Sequence, residues 1–580
     1  MKKKLAVVNR ILALGLAACL LAGCGNMRPS GEAAPGAAST DNAEAAPGSA
    51  PTDNAEAAPG ATPTAGTESA TDAAAPPAPT LPVNIIDDNY RNYYEIFPGT
   101  FADSNGDGCG DLAGIESKLD YITDLGCNGI WLTPIMEAPS YHKYDTTDYY
   151  SVDPAFGTND DFRSLADACH EKGIRLIIDL VINHSSNEHP WFKEACDYLR
   201  SLPEGEEPDL SACPYVDYYH FSREKIDGTY CDVPGSDWYY EAVFYYTQPD
   251  LNLSNEAVAD ELKKVADHWI DLGCDGFRMD AAMHYDDSSS TYNIEFLHDY
   301  YEYCLSRDPD FYMVSEVWAP EKTIAEYYAS GTPSFFNFDA ADAEGKLIKA
   351  GRGTLGADKF VRACLEYQET FGAANPDYID APFITNHDMG RVANAVMSDP
   401  VTLKMTAGLL LSMNGSPFIY YGEEIGMKSK GKPDENKRLH MNWSVTDTTG
   451  ICNDPEGADK DIEQSFAPAD EQMKDPDSLY SYYKEALAIR NAYPEIARGE
   501  IEIAEALTEG NIAVITKTWN GESITIVYNN GDDAAEVDLA GVMDSDAAIA
   551  GVLCAAGSDT NISLHNSTLT IPGKCIIYLK

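Results

Sequence analysis

Three acidic residues end short apolar runs. Asp280 closes Gly276-Phe277-Arg278-Met279, Glu316 closes Phe311-Tyr312-Met313-Val314-Ser315, and Asp388 follows Phe383-Ile384-Thr385-Asn386-His387. Two carboxyl groups facing one bond are the minimum for cleaving a glycosidic linkage: one protonates the departing oxygen, the other attacks the sugar or activates water. A gap of about 5–5.5 Å implies direct attack and retention, a wider one inversion, and sequence spacing does not measure it. Arg278 lies two residues before Asp280, hence on the same strand face, where its cation favours the ionised carboxylate. Taken singly, each acid also fits a buried ion pair or a cap.

For these acids to share one rim, the runs that carry them must lie side by side. Eight runs read as strands: Tyr93 to Phe97, Gly129 to Leu132, Arg175 to Asp179, Gly276 to Asp280, Phe311 to Glu316, Ser334 to Asn337, Pro382 to Asn386 and Phe418 to Tyr421. Segments with helical spacing lie between them, among them Asp111 to Leu125, Asp160 to Lys172, Glu256 to Leu272, Ile294 to Leu305 and Leu403 to Met413. The alternation predicts an α/β fold, a parallel (β/α)8 TIM barrel, whose reactive side chains gather at the carboxyl ends of the strands. About seventy residues separate His184 from the helix near Glu256. That is far above ordinary loop length, so an inserted subdomain follows strand 3. After a helix near Ser478 to Ala492, period-two patterns at Ile512 to Trp519, Ser523 to Asn529 and Thr568 to Leu579 predict a C-terminal antiparallel β-sandwich. The expected boundaries are 83–183 and 253–495 for the barrel, 184–252 for the insertion and 496–580 for the sandwich.

With 94 Asp plus Glu against 40 Lys plus Arg among 580 residues, the formal charge is −54. A nucleic-acid partner is therefore disfavoured, because such binders need a basic face. The 44 % hydrophobic content supplies a core, and Tyr (35) outnumbers Phe (18), which suits sugar-binding grooves. Three lysines and an apolar run from Ile11 to Gly23 read as an export signal, residues 1–24. The run ends Leu21-Ala22-Gly23-Cys24, resembling the bacterial lipobox, so Cys24 is the expected lipid anchor and the protein is expected on the outer face of the cell membrane. Residues 25–82 are Ala, Pro, Gly and acidic residues with a repeated TDNAEAAPG, a spacer too poor in apolar side chains to fold. The 14 cysteines form no C-x-x-C pair and no zinc-like spacing; Cys196, Cys213 and Cys231 cluster, and Cys554 and Cys575 are neighbours whose pairing sequence leaves open.

From about Asn84 onward the chain resembles the α-amylase family, glycoside hydrolase family 13. Asp179-Leu-Val-Ile-Asn183-His184, Gly276 to His284 (GFRMDAAMH), Ser315-Glu316-Val317-Trp318 and Ile384 to Asp388 resemble its four signature regions. Gln248 to Asn252 (QPDLN) and Gly415 to Gly426 resemble two more. The resemblance implies that Asp280 is the nucleophile, Glu316 the acid and then base, and Asp388 the transition-state stabiliser. It also implies sugar contacts from His184, His387 and Arg278, and a stacking platform at Tyr144.

Oxygen-bearing side chains at Asp103, Asn105, Asp107 and Asp111, spaced by glycines, suit a hard cation, and Ca2+ is the expected ion. The loop resembles the calcium loop of the family's oligosaccharidase branch, with Cys109 contributing its carbonyl. A plain turn rich in Asn, Asp and Gly is the alternative. The family's other calcium site would use Asn183 and the carbonyl of His284. QPDLN resembles exo-acting oligo-1,6-glucosidases, whereas Ala282 and His284 resemble endo-amylases, although Met283 replaces their usual Lys. Tyr141 stands where exo enzymes would carry an Asp that closes the pocket. The expectation is therefore endo-cleavage of α-1,4-glucan by a retaining, monomeric enzyme. An α-glucosidase or transglycosylase is the runner-up, and a non-catalytic surface glucan binder is the reading from another class.

Overall fold

The computed structural model describes residues 81–580 apart from 85, 227, 544–546 and 558–560. The export signal, Cys24 and the spacer up to residue 80 lie outside the described residues. Among the described residues seven strands form one parallel sheet: β1 Tyr93–Ile96, β2 Gly129–Leu132, β3 Arg175–Leu180, β4 Gly276–Met279, β5 Tyr312–Ser315, β6 Ser334–Phe335 and β7 Phe418–Tyr420. Their spatial order is β6-β5-β4-β3-β2-β1-β7. The expected strand at Pro382 to Asn386 appears only as parallel bridges, Phe336 to Ala381 and Phe383 to Phe418, which join β6 to β7 and close the cylinder. Pro382 between the two bridges has no N–H to give a ladder, which explains the interrupted stave. The (β/α)8 barrel read from the alternation is thus present.

Two further expectations change in detail. The helix expected over Asp111 to Leu125 is broken into Leu112–Glu116 and Leu119–Leu125. Ser117 Oγ donates back to Gly114 O at 2.6 Å, and Lys118 leaves the helical region with φ −107° and ψ 5°. The single strand expected over Thr568 to Leu579 splits at Pro572-Gly573, and its halves join different sheets. Thr568–Ile571 belongs to a three-stranded antiparallel sheet, and Cys575–Leu579 lies inside a five-stranded one. Cys554 and Cys575 face each other across that second sheet and form a disulfide.

Aromatic layers fill the cylinder: the Tyr93 ring lies between Tyr312 and Phe418, with centroids 5.2 and 4.7 Å away. Gly276 opens β4 because a Cβ there would stand 2.2 Å from the carbonyl oxygen of Tyr312, so glycine lets β4 and β5 approach. Between β3 and β4 the chain forms helix Pro190–Ser201 and a small antiparallel sheet of Phe221–Ser222, Tyr239–Glu241 and Tyr230–Asp232. No helix among the described residues is long and apolar enough to cross a membrane.

Candidate active site

Strand register dictates which acids meet. β4 and β5 pair Gly276 with Tyr312 through Met279 with Ser315, so Asp280 and Glu316 are the next residues out on adjacent strands. β3 pairs with β4 so that Asp179 stands opposite Arg278. The result is one buried guanidinium among three carboxylates. Arg278 Nη1 lies 2.8 and 2.9 Å from the oxygens of Asp179 and 2.6 Å from Asp280 Oδ1, and Nη2 lies 3.1 Å from Glu316 Oε2. Ala281 adopts the left-handed region with φ 49°, uncommon for a residue with a Cβ, and its N–H donates to Glu316 Oε2 at 3.0 Å.

One cation cannot neutralise three carboxylates removed from water, so the cluster retains a proton near neutrality. Burial raises Asp179 to about 7 even though Arg278 pulls it down. Burial also raises Asp280 and Glu316, with Arg278 opposing it in both. Asp280 has the shorter bond to the guanidinium, and the charge of Asp388 raises both acids. Burial thus pushes all three acids up together, and the Arg278 cation opposes it in each.

The segment after the interrupted stave brings in the second half of the site. His387, fully buried, places Nδ1 2.5 Å from Glu95 Oε1 and Nε2 3.1 Å from Asp388 Oδ2 and 2.6 Å from the Tyr144 hydroxyl. Burial alone would lower its pKa, but the charges of Asp388 and Glu95 and the hydrogen bonds to both lift it to about 10. Asp388 in turn is held well below the carboxylate range against its own burial by His387 and then Arg438, whose Nη2 donates at 2.8 Å. The Tyr144 hydroxyl donates to Asp179 at 2.9 Å, and its ring stacks on His387 at 5.6 Å. Tyr144 thus joins the Arg278 cluster to the His387 cluster.

Of the other sequence candidates, His184 is buried with Nε2 2.9 Å from the Tyr144 carbonyl oxygen, and burial lowers it to about 4. His284 is half-buried and pairs with Asp287 at 2.8 Å. The exposed ring of Phe244 contacts both, 5.5 Å from His184 and 5.1 Å from His284. Tyr141 is half-buried; its hydroxyl accepts from Arg438 Nη1 at 2.9 Å and approaches Asp434 Oδ2 at 3.4 Å. Asp179, Glu95, Arg438 and Asp434 join the site beyond the residues that the sequence motifs single out. Asp179 lies near the end of β3 directly opposite Arg278, and only the strand register reveals the pairing.

The loop from Asp103 to Asp111 sits apart from these clusters in the hydrogen-bond network. Asp103 accepts from the N–H groups of Asn105, Gly106 and Gly108, and Asp107 accepts from Cys109. Asp111 caps the following helix through Gly114 N–H at 2.6 Å and also accepts from Ser104. Gly108 has φ +92°, and a Cβ there would collide with the Asn453 amide. Among the described residues no ion pair engages Asp103, Asp107 or Asp111, and no three His, Cys, Asp or Glu side chains converge in a metal-holding group. Asn105 Oδ1 is likewise engaged, accepting from the Asp107 N–H at 2.9 Å, so the loop closes on its own backbone. Asn183 and His284 both line a separate cavity of about 290 Å³ that also holds Glu241, Asp250, Asp286 and Asp287.

Residues 95–499 match the family model described as alpha amylase, catalytic domain. Alpha-amylase 3 of Dictyoglomus thermophilum is 40 % identical over 454 residues, covering 76 % of this chain and 85 % of that protein. Glucan 1,6-alpha-glucosidase of Streptococcus pneumoniae is 28 % identical over 78 % of this chain and 93 % of its own length. Among solved structures, Eubacterium rectale Amy13B superposes with a TM-score of 0.83 at 44 % identity, over 86 % of this chain and 97 % of that one. The α-amylase from H. orenii gives 0.73 at 32 %, over 85 % and 99 %. The chain belongs to the α-amylase family, glycoside hydrolase family 13.

Proposed function

We propose that the protein endo-cleaves α-1,4-glucan by double displacement with retention. The observation that carries this reading is the sharing of one guanidinium by Asp280 and Glu316, at 2.6 and 3.1 Å. Glu316 protonates the leaving oxygen while Asp280 attacks the anomeric carbon; Glu316 then deprotonates the water that releases the glycosyl ester. Asp388, held in place by His387 and Arg438, accepts from hydroxyls of the distorted sugar, contacts that tighten as the oxocarbenium ion develops. Arg278 and Asp179 fix the charge state, and Tyr144 supplies a stacking face. Release of reducing ends from amylose, lost in Glu316→Gln, tests the activity; a Glu316→Gln protein as active as the parent overturns it.

A second reading, exo-action, is favoured by one specific observation. Arg438 bridges Tyr141, Asp434 and Asp388, which ties the 141 segment to the 434–438 segment beside the stabilising acid. A closed end of that kind suits a terminal sugar. Iodine staining lost far ahead of glucose release supports endo-action, and parallel loss and release support exo-action.

The loop Asp103 to Asp111 binds Ca2+ as a structural ion, so EDTA lowers the melting temperature by several degrees; an unchanged melt removes the ion from the account. The chain is exported, lipidated at Cys24 and held by the spacer on the outer face of the membrane as a monomer. Labelled fatty acid incorporated into the parent and absent from Cys24→Ser tests this.

A further inference from the structure

The inserted segment carries a second cavity, of about 500 Å³, and none of its lining residues belongs to the acid clusters. Phe192 and Tyr240, both buried and edge-on at 4.9 Å, line it together with Tyr230 and Tyr246, and Tyr246 remains 53 % exposed. Lys193, Arg200 and Lys225 supply long donors. Flat rings with polar tips plus a few directed donors are what a polyhydroxylated ring requires: its C–H face lies on the aromatic and its hydroxyls reach the polar groups.

The charges favour a neutral ligand over an anion. Each lining cation is already paired with a carboxylate: Lys193 with Glu188 at 3.8 Å, Arg200 with Asp197 at 2.6 Å and Lys225 with Asp232 at 3.0 Å. The chain's net charge of −54 adds a repulsive field for anions.

Placement links this cavity to the catalytic cleft. Phe244, Tyr245 and Tyr246 are consecutive and all exposed. Phe244 rests against His184 and His284, the Tyr245 and Tyr246 rings are 4.5 Å apart, and Tyr246 lines the cavity. Two residues of extended backbone span at most about 7 Å, so the ridge runs from cleft to cavity without interruption. The Tyr240 hydroxyl anchors it by donating to the Tyr246 carbonyl oxygen at 2.6 Å.

We propose that the cavity bounded by Tyr246, Tyr230 and Lys193 is an accessory glucan-binding site, occupied by the part of an α-glucan chain that leaves the cleft over Phe244. The ligand class rests on the α-glucan reading above. The site lets the enzyme hold a polymer beyond the sugars undergoing reaction, so it acts on long chains and is silent toward short ones.

The test uses the full chain. In the non-turnover Glu316→Gln background, mobility in native gels cast with amylose reads binding directly; adding Tyr246→Ala releases the protein at least three-fold more easily, and Tyr246→Trp, which keeps a ring, retains binding. In the active background Tyr246→Ala lowers kcat/KM on amylose at least three-fold and leaves a nitrophenyl maltotrioside within 1.5-fold. Equal loss on both substrates, or unchanged retardation by a protein whose melt shows it folded, overturns the proposal. Should the parent turn over neither substrate, the hydrolase reading falls, and retardation by amylose alone decides the cavity.

Discussion

The two ends of the barrel treat buried cations in opposite ways. At the carboxyl ends of the strands Arg278 is surrounded by Asp179, Asp280 and Glu316, whose charges outweigh its burial and raise its pKa well above the ordinary value. At the amino ends Arg490 donates to the carbonyls of Leu411, Met413 and Gly415 and to the Asn92 side chain, and Lys517 donates to those of Ser412 and Ile496. No carboxylate answers them among the described residues, so burial lowers Arg490 to about 9 and Lys517 to about 7. Both meet carbonyls at the end of helix Pro400–Ser412, where a cation is favoured by the helix dipole. The difference separates roles. Lys517 fastens the C-terminal sheet to the barrel and Arg490 ties helix Leu479–Ala492 to the end of helix Pro400–Ser412, whereas Arg278 gathers three acids that burial raises together.

The largest expected effect is at the cleft. Asp280→Asn removes the proposed nucleophile and is expected to lower kcat/KM by about 10⁴-fold or more while the melt barely moves, since Arg278 keeps two acidic partners. A matching loss of folding, read by calorimetry, would make Asp280 a structural group and erase the contrast. Arg438→Gln comes next. It takes a donor from Asp388 and lowers kcat by about 10²-fold, and unchanged kcat would remove Arg438 from the catalytic electrostatics.

Lys517→Met probes the other end, with activity per folded molecule expected within two-fold of the parent. Its signature is in pH. Lys517 drops from 10.5 to about 7 on folding, so between those values the unfolded chain holds a proton that the native protein lacks, and stability rises with pH. His387 rises from 6.5 to about 10, so its contribution is complete below 6.5 and is lost as pH climbs toward 10. Melting curves across that window should show Lys517→Met removing the rising component; an unaltered slope counts against it.

How far these sites were legible follows from the range of the interactions that build them. Asp280, Glu316 and Arg278 sit on strand ends within short motifs, so pattern alone brought them together. Glu95 reaches His387 across 292 positions and Arg438 reaches Asp388 across 50. Nothing local marks either residue, because a charge gains its partner only when the cylinder closes. The barrel was readable from alternation, whereas the interrupted seventh stave and the strand split at Pro572 depend on which sheet offers a partner. Arg490 and Lys517 look like ordinary basic residues until burial shows otherwise.

Tyr141→Asp gives the smallest effect. A carboxylate facing Arg438 should strengthen the bridge at the cleft end and shift products toward monosaccharide, and an identical chromatogram would show that this end does not set chain length.

The stereochemistry of the first turnovers tests the central claim most directly. If Asp280 attacks carbon with Glu316 across the same guanidinium, proton NMR of maltooligosaccharide cleavage shows the new reducing end appearing first as the α-anomer and mutarotating afterwards. Initial appearance of the β-anomer would mean that water, not Asp280, strikes the sugar, and would contradict the assignment.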